Sequence, residues 1–219
     1  DSGAQSPKQD RSRQRIEEIL AAAVRVFARD GIAKARIGDI AADAGVPVAS
    51  IYDYFSSKEE LAYQVPIRLQ TQFYREFRDR YGDTPSNREK LLGFLWLSGD
   101  FARRNSDWAR VLYLEVWPSV LIANADVRHV LDDYGRIVID LLEQGARDGE
   151  WPRQPDPYQT ATILIGAMSQ LVITWLLYRR PRNLSAASLA MIDRVLSLLD
   201  VTSKDMPKRA RAARPARVA

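Results

Sequence analysis

The feature that most constrains the fold is a long stretch without a charged side chain, ATILIGAMSQLVITWLLY, at residues 161–178. Its length lies at the lower limit for a membrane-spanning helix. Ser169, Gln170 and Thr174 interrupt its apolar character, and no second stretch of this kind accompanies it. We therefore interpret it as a buried helix of a globular protein. Because a helix that is apolar on every side needs cover on every side, the stretch predicts a subunit interface as well as a core.

The remainder of the chain shows helical patterns and no strand pattern. Ile16, Ile19, Ala23 and Phe27 share one face of a helix over residues 11–29. Capping residues and helix breakers then divide the rest of the chain. The further helices that we expect are two short ones within 37–54, one over 58–80 that Pro66 disturbs, one over 86–104, two that begin at Asp107 and Asn124, one over 157–178 and one over 185–200. The predicted fold class is all-α, with about nine helices.

Composition argues against several kinds of site. The chain has no cysteine and a single histidine, His129, so it has no disulfide and no thiolate ligand or nucleophile. Asp132 and Asp133 are similar to part of the acidic metal box of all-α prenyl-transfer enzymes. Arg136, however, occupies the position where that box needs its third aspartate. We therefore expect no enzyme, no metal site and no cofactor.

Basic charge is concentrated at the C-terminus. Residues 201–219 contain six basic residues and one acidic residue, whereas the whole chain carries a net charge of +4. Because this Ala-, Arg- and Pro-rich segment cannot bury a core, we expect it to be a disordered basic tail. It either remains solvated or contacts DNA phosphates. Residues 1–10 are polar, and we expect them to form a disordered N-terminal arm.

The sequence AGVP at residues 44–47 separates two short helical segments and indicates a helix-turn-helix. Gly45 supplies a backbone conformation that other residues avoid. Small residues at 48–50 suit the side of the second helix that would enter a DNA groove, and Ile51 and Phe55 suit the side that packs on the core. Two short helices joined by such a turn place the second helix in the major groove.

Three side chains at the end of this motif are suited to phosphate groups. Tyr52 and Tyr54 can each pack through the ring and present the hydroxyl. Lys58 lies at the start of the next helix, where a lysine opposes the helix dipole and a bound phosphate would explain its presence. The alternatives are half-buried packing for the tyrosines and an ordinary surface role for Lys58.

The stretch 16–61 contains a characteristic series of residues: Ala22, Ala23, Phe27, Gly31, Asp39, Ile40, Ala41, Ala44, Gly45, Val46, Ile51, Tyr52, Tyr54, Phe55, Ser57, Lys58, Glu59 and Leu61. With these residues and spacings it resembles the DNA-binding domain of the TetR (tetracycline repressor) family of transcriptional regulators. The rest of the chain matches that family only in the number, length and order of its helices.

The resemblance implies a homodimer that places one helix of each subunit in successive major grooves of a pseudo-palindromic, double-stranded DNA operator. By position, the residues implied to face base edges or the nearby backbone are Val48, Ala49, Ser50 and Asp53. Those implied to hold phosphates are Tyr52, Tyr54 and Lys58.

This sequence departs from the family pattern at three places. Ala35 and Arg36 occupy the position of the usual helix cap, so Arg36 is expected to contact a phosphate instead. Ala49 replaces a frequent glycine and limits how closely the helix approaches DNA. Asp53 is acidic, and it either accepts a hydrogen bond from a cytosine amine or pairs with a local arginine.

The second part of the chain contains the aromatic residues that an apolar cavity uses. The candidate lining residues are Trp96, Tyr113, Trp117, Tyr134 and Met168, and Trp108 belongs to the same set. Each of them is alternatively an ordinary core residue. Because no cluster of positive charge lies on a predicted inner face, we expect a hydrophobic small-molecule effector, for which an acyl-CoA and an amphipathic drug-like molecule are both suitable. Glu115 and His129 are candidate polar contacts.

These observations predict a DNA-binding domain over 11–62 and a ligand-binding and dimerisation domain over 63–200. Dimerisation is expected through 157–178 and 185–200, which would pair with their copies as a four-helix bundle. The expected function is that of a cytoplasmic, ligand-responsive transcriptional regulator that does not associate with membranes. The family resemblance implies that it is a repressor, released from DNA when the effector favours another dimer state. The alternative is an all-α ligand-binding dimer without DNA-binding activity.

Overall fold

The computed structural model describes residues 7–152 and 156–199, and within them the chain forms nine α-helices and no strand. The helices are α1 (Pro7–Asp30), α2 (Ile37–Ala44), α3 (Val48–Tyr52), α4 (Lys58–Tyr81), α5 (Asn87–Arg104), α6 (Ser106–Arg110), α7 (Ala125–Arg147), α8 (Pro157–Tyr178) and α9 (Leu184–Leu199). α6 continues directly into a π-helical segment, Val111–Val116, and a short 3₁₀ helix, Val120–Ala123, precedes α7. The predicted all-α class is confirmed. The expected basic tail, 201–219, lies outside the described residues.

The first three helices and the start of α4 pack into a small bundle. The apolar face predicted for α1 is buried, with Ile19, Ala23 and Phe27 fully inaccessible, and α1 packs against α2 and α4. α2 ends at Gly45, whose φ of +66° lets its N–H bond back to the last turn of the helix. Because a side chain is strained at this φ, glycine is the residue that suits this turn.

Four of the predicted helix starts are confirmed by side-chain caps. The side-chain oxygens of Ser57, Ser86, Asn124 and Asp156 accept hydrogen bonds from backbone N–H groups in the first turns of α4, α5, α7 and α8. These bonds satisfy donors that a helix leaves free at its start. The caps therefore fix where the long helices begin.

α1 and α9 begin earlier than expected. α1 begins at Pro7, so the last four residues of the expected arm at 1–10 are helical. Proline is well suited to the first position of a helix, where no hydrogen bond is lost. α9 begins at Leu184, because Asn183 Oδ1 accepts a hydrogen bond from the N–H of Ala186.

Asp107 and Pro66 do not have the expected effects. α6 follows α5 after the single residue Asn105, so Asp107 lies inside the first turn of α6 and is not its N-cap. Pro66 lies inside α4, which continues unbroken to Tyr81. Its ring is buried among core residues, and this packing offsets the hydrogen bond that a proline removes from a helix.

α5 lies at the centre of the larger domain, in contact with α4, α7, α8 and α9. Aromatic rings fill the space between α4, α5 and α7. Phe73 meets Phe94 and Phe101 edge-on at centroid distances of 5.2 and 5.6 Å, and Tyr134 lies 4.7 Å from Phe94. Such edge-on pairs are favourable beyond their buried area. The cluster fixes one side of α5.

A carboxylate from the loop after α7 caps the start of α5. Glu150 accepts hydrogen bonds of 2.8 Å from Ser86 Oγ and from the backbone N–H groups of Asn87 and Arg88. Partial burial raises the pKa of Glu150, but these hydrogen bonds outweigh it and lower the pKa to about 2. The helix dipole also favours a negative charge at this end. Glu150 therefore ties the connection between α7 and α8 to α5.

We expect Glu150 to stabilise the fold in a pH-dependent way. Its pKa of about 2 in the folded chain is below the ordinary 4.5, so its contribution is complete above pH 4.5 and is lost as the pH falls towards 2. Glu150→Gln should lower the melting temperature by roughly 2–4 °C near neutral pH, and by less as the pH falls. Thermal unfolding followed by circular dichroism measures this, with Glu143→Gln as the surface control. An equal difference at every pH would contradict the role of the charge.

Candidate DNA-binding surface and effector cavity

α3 has one buried face and one exposed face. Ile51 is fully buried, and Phe55, just after the helix, is 5% exposed. Val48 and Tyr52 are 44% and 54% exposed, and Ala49 is exposed as well. A short helix with small exposed residues, held from behind by apolar ones, has the shape that a helix needs to enter the major groove.

The remaining residues predicted to contact DNA lie around this exposed face. Asp53 is exposed, whereas Ser50 and Tyr54 are half-buried. Arg36 stands at the N-cap position of α2, is exposed, and makes no capping hydrogen bond. Its guanidinium is therefore accessible to a phosphate.

Lys58 makes contacts within the protein that the sequence did not reveal. Its Nζ donates hydrogen bonds of 3.1 Å to Ala33 O and to Ala35 O, in the loop between α1 and α2. These carbonyl oxygens offset the unfavourable position of a lysine in the first turn of α4. Because an ammonium group has three donors, one remains for a phosphate. Lys58 thus holds the loop that positions α2.

A cavity of about 600 Å³ lies between α4, α5, α6, α7 and α8, and it is of the size typical for small-molecule sites, roughly 300–1,000 Å³. On α4, α5 and α6 the lining residues are buried, and we call them the inner wall: Gln70, Phe73, Ser98, Phe101 and Trp108. On α7 and α8 several lining residues are exposed, and we call them the rim: Asp132, Arg136, Tyr158, Thr162, Gly166 and Gln170. The cavity is therefore closed on one side and open on the other.

Only some of the residues predicted to line the cavity do so. Tyr113, Trp117 and Tyr134 belong to its wall. Trp96 and Met168 lie outside it. Trp96 projects from a different face of α5 than the inner-wall residues and packs against the core, and Met168 is 2% exposed and packs against α5.

His129, expected as a polar contact to the effector, also lies outside the cavity wall. Its side chain is 74% exposed, and its Nε2 lies 3.5 Å from Asp133. This position on the outer face of α7 places the histidine in solvent, away from an enclosed ligand.

The hydroxyl groups of Ser98 and Tyr134 in the cavity wall have partners within the protein. Ser98 Oγ donates to Phe94 O at 2.7 Å and lies 2.6 Å from Tyr134 Oη. Since a serine hydroxyl has one proton, Tyr134 is the donor of the second bond. Burial raises the pKa of Tyr134, and burial likewise raises the pKa of Tyr113, against a smaller lowering by its hydrogen bond with Ser169. Both tyrosines therefore remain neutral at physiological pH.

Gln70 is a cavity residue that the sequence reasoning missed. It lies on the buried face of α4 with Pro66 and Phe73 and is itself 5% exposed. The available signal was a polar residue at a core position of an amphipathic helix, since a buried polar group needs a specific partner. Ser98 gives the same signal on α5.

One hydrogen bond joins the cavity wall to the DNA-binding domain. Glu115, in the π-helical segment, accepts a hydrogen bond of 3.0 Å from the backbone N–H of Ile32, just after α1. Gly31 has a φ of +78°, and a Cβ at this residue would lie 3.3 Å from the Glu115 carboxylate. Leu112 and Tyr113 of the same segment line the cavity. Glu115, predicted as a polar contact to the effector, therefore binds the protein backbone instead.

Comparisons with known proteins place the chain in a family. A family model described as bacterial regulatory proteins, tetR family, matches residues 19–65, and one described as YsiA-like protein, C-terminal region, matches residues 68–199. The second match alone covers more than half of the 219 residues. The chain belongs to the TetR family. TetR-family regulators bind DNA operators and small-molecule effectors, generally as dimers.

Individual relatives agree with this assignment. The fatty acid metabolism regulator protein of Bacillus subtilis (strain 168) is 27% identical over 187 residues, which cover 84% of this chain and 95% of the relative. The crystal structure of FadR from Bacillus subtilis in complex with stearoyl-CoA is 26% identical, with a TM-score of 0.76 over 84% of this chain and 96% of that one. The repressor KstR2 of Mycobacterium tuberculosis is 26% identical over 60% of this chain and 66% of the relative. These TetR-family relatives are transcriptional regulators, not enzymes.

The geometry of the candidate DNA-binding surface predicts that substitutions at Tyr52 and Lys58 affect DNA binding and stability differently. Tyr52→Phe removes an exposed hydroxyl, so it should lower operator affinity about 3- to 10-fold and leave the melting temperature unchanged. Lys58→Met also removes two hydrogen bonds within the protein, so it should lower both quantities. Fluorescence anisotropy with an operator selected from random duplexes, together with thermal unfolding, measures both effects.

Tyr81→Phe is the matched control, because this tyrosine lies at the end of α4, outside the DNA-binding domain and outside the two helices expected to form the dimer. Its affinity for the operator should equal that of the wild type. An unchanged melting temperature for Lys58→Met would show that the bonds to the loop are unimportant.

Proposed function

We propose that the protein is a cytoplasmic repressor that binds a pseudo-palindromic operator as a homodimer and leaves it when a hydrophobic small molecule occupies the cavity. The observation that carries this proposal is that one helical segment, residues 106–116, both lines the cavity and bonds to the DNA-binding domain through Glu115. A ligand that shifts this segment also shifts the end of α1. The helix-turn-helix packs on α1 and moves with it.

A long-chain acyl-CoA is the effector class that we expect. The Bacillus subtilis FadR structure, at 26% identity, contains stearoyl-CoA, and the cavity here has a buried, mostly apolar inner wall that suits an acyl chain. Its charged CoA portion would stay outside, because burial of unpaired charge is strongly unfavourable. Arg136, on the rim, is placed to meet a phosphate. An amphipathic drug-like molecule is the alternative effector.

Dimerisation through α8 and α9 is supported by their exposed apolar side chains. On α8 these include Ile163, Leu177 and Tyr178, which are 58%, 52% and 69% exposed, and on α9 they include Leu189, which is 52% exposed. Among the described residues α8 is the one helix long and apolar enough to cross a membrane, and 33% of its most apolar 18-residue stretch is buried within the chain. One such helix does not indicate a span, because a partner subunit that covers this surface accounts for its apolar character.

The mechanism is a population shift between two dimer states. In one state the two α3 helices are spaced to enter successive major grooves, about 34–36 Å apart. An effector that binds the other state more tightly lowers operator affinity by the ratio of its two affinities and by no more. The π-helical segment is a suitable moving part, because π-helical turns are rare and are frequently found at functional sites.

The alternative function is that of a ligand-binding dimer that no longer binds DNA. It leaves the exposed side chains of α3 without a purpose. Such a protein has no need to keep Val48 and Tyr52 exposed beside buried Ile51, or to hold the α1–α2 loop with Lys58. Selection of about 30-bp duplexes from a random library separates the two. An inverted repeat that releases the protein upon addition of stearoyl-CoA is the expected result, whereas no enrichment of any sequence would favour the ligand-binding dimer.

Closing the rim of the cavity should abolish the response without impairing DNA binding. Gly166 lines the cavity, and a Cβ built there has no neighbour within 4 Å. Gly166→Leu should therefore fill the opening and weaken stearoyl-CoA binding at least tenfold. Removing a glycine from a helix interior should also raise stability by about 0.5–1 kcal/mol. Isothermal titration and operator release measure the outcome.

Gly166→Ala is the control, because it gives the same gain in helix propensity and adds only one carbon to the opening. It should bind stearoyl-CoA nearly as the wild type does. If Gly166→Leu responds normally to stearoyl-CoA, the effector does not enter between α7 and α8.

Glu115 should be required for the effect of ligand binding on operator affinity, and not for ligand binding itself. Glu115→Ala removes the acceptor for the Ile32 N–H, so stearoyl-CoA should bind with unchanged affinity while the loss of operator affinity that it causes becomes several-fold smaller. Glu115→Gln keeps an acceptor and should retain most of the response. Operator titrations with and without stearoyl-CoA measure this, and an undiminished response in Glu115→Ala would exclude this route.

A further inference from the structure

Two buried hydrogen-bond donors on the inner wall of the cavity have no partner. Gln70 on α4 and Trp108 on α6 are each 5% exposed. Gln70 Nε2 and Trp108 Nε1 are the two buried side-chain nitrogen or oxygen atoms without a hydrogen bond in the part of the chain that the structure describes. Both residues line the same cavity. Because an unsatisfied buried donor is unfavourable, their presence together in one wall calls for an acceptor that enters from outside the protein.

Neighbouring polar groups do not supply that acceptor. Tyr74 Oη donates to Val130 O at 2.9 Å. Burial raises the pKa of Tyr74, and the nearby Gln70 amide lowers this pKa by a smaller amount. Gln70 Nε2 nevertheless makes no hydrogen bond to the Tyr74 hydroxyl. The Ser98 hydroxyl, on the same wall, is engaged with Phe94 O and Tyr134 Oη.

We propose that the effector carries an uncharged hydrogen-bond acceptor at the end that enters the cavity, and that Gln70 and Trp108 bind this acceptor. An amide N–H₂ and an indole N–H both act as donors, so the complementary group is an oxygen such as that of a ketone or an ester. The inference rests on the proposed small-molecule function of the cavity.

Charge in the cavity wall indicates that this acceptor is neutral. The charged lining residues in the described part of the chain are Asp132 and Arg136, and both are exposed on the rim. A carboxylate at the inner wall would be buried without a cation, which is strongly unfavourable. A ketone or ester oxygen needs only the two N–H donors.

The position of the donors has a consequence for an acyl-CoA effector. Gln70 and Trp108 belong to the buried side of the cavity, whereas the opening lies at the rim. With the CoA portion outside, the thioester lies near the rim and the distal part of the acyl chain reaches the inner wall. The acceptor is then a second oxygen on that distal part, so an oxygenated chain should bind more tightly than a plain saturated one.

A matched pair of neutral probes tests this without a CoA group. The probes are 2-undecanone and 2-methyl-1-undecene, which share a skeleton and differ in C=O against C=CH₂. The change in tryptophan fluorescence on binding gives both dissociation constants, since Trp117 in the wall reports binding even when Trp108 is replaced. The measured quantity is the ratio of the alkene constant to the ketone constant.

Gln70→Met and Trp108→Phe each keep most of the side-chain volume and remove one donor. Either should lower the ratio at least tenfold, because the ketone loses a buried hydrogen bond and the alkene does not. Neither should lower the melting temperature of the ligand-free protein much, and Gln70→Met should raise it. A glutamine that serves only the fold would instead leave the ratio unchanged and lower the melting temperature.

Gln170→Met is the matched control, because Gln170 also lines the cavity but its Nε2 donates to Thr174 Oγ1 at 3.3 Å. The ratio of the alkene constant to the ketone constant for Gln170→Met should equal that of the wild type. A second readout is the indole proton of Trp108, identified by its loss in Trp108→Phe, which should move downfield with the ketone and not with the alkene.

The outcomes distinguish this inference from the proposed function. If both probes bind the wild type and the ratio is the same in Gln70→Met and Trp108→Phe, the two donors do not recognise the effector, and the cavity remains an apolar effector site. If neither probe binds the wild type, this inference fails. If stearoyl-CoA does not bind either, the cavity is not an effector site and the proposed function fails as well. A lowered ratio in both variants, with Gln170→Met unchanged, is the expected result.

Discussion

The close packing of α5 is the constraint on which the larger domain depends. α4, α7, α8 and α9 pack around it, and at two points the approach leaves room only for glycine. A Cβ on Gly93 would collide with the ring of Tyr81, and one on Gly99 would collide with the side chain of Ser188. Where Ser98 and Phe101 face α7 and α8, the neighbouring helices do not close the gap. The cavity is therefore the unfilled side of an otherwise tightly enclosed helix.

Local signals in the sequence were sufficient for the helices and the helix-turn-helix. Ser57, Ser86, Asn124 and Asp156 act on the turns that directly follow them, so they could be read from the sequence. The cavity wall could not, because Trp96 and Tyr113 are equally aromatic and only the packing of separate helices decides which one faces the gap. The same holds for Lys58 and Glu115, whose partners lie 23 or more residues away in the chain.

Departures from ordinary folding rules coincide with the parts of the molecule for which we propose a function. Lys58 stands in a first turn that disfavours a positive charge, and Gln70 and Trp108 leave buried donors unpaired. A π-helical segment interrupts regular helix beside the cavity. A sequence selected for stability alone would remove each of these features, and proteins retain such exceptions chiefly at functional sites. The aromatic cluster around Phe73 provides well-packed core that compensates for the open cavity.

The hydrogen bond between Glu115 and Ile32 has a consequence for the proposed control of gene expression. A bond to a charged acceptor contributes about 1.5–3 kcal/mol. Under the proposed function, an effector that breaks this bond would change operator affinity through it by roughly 10- to 150-fold per subunit, and the packing of α1 against α6 adds to this. Two subunits multiply their contributions only when both are occupied. At a promoter under the proposed control, the ratio between full and basal output would therefore depend in part on the geometry of one carboxylate.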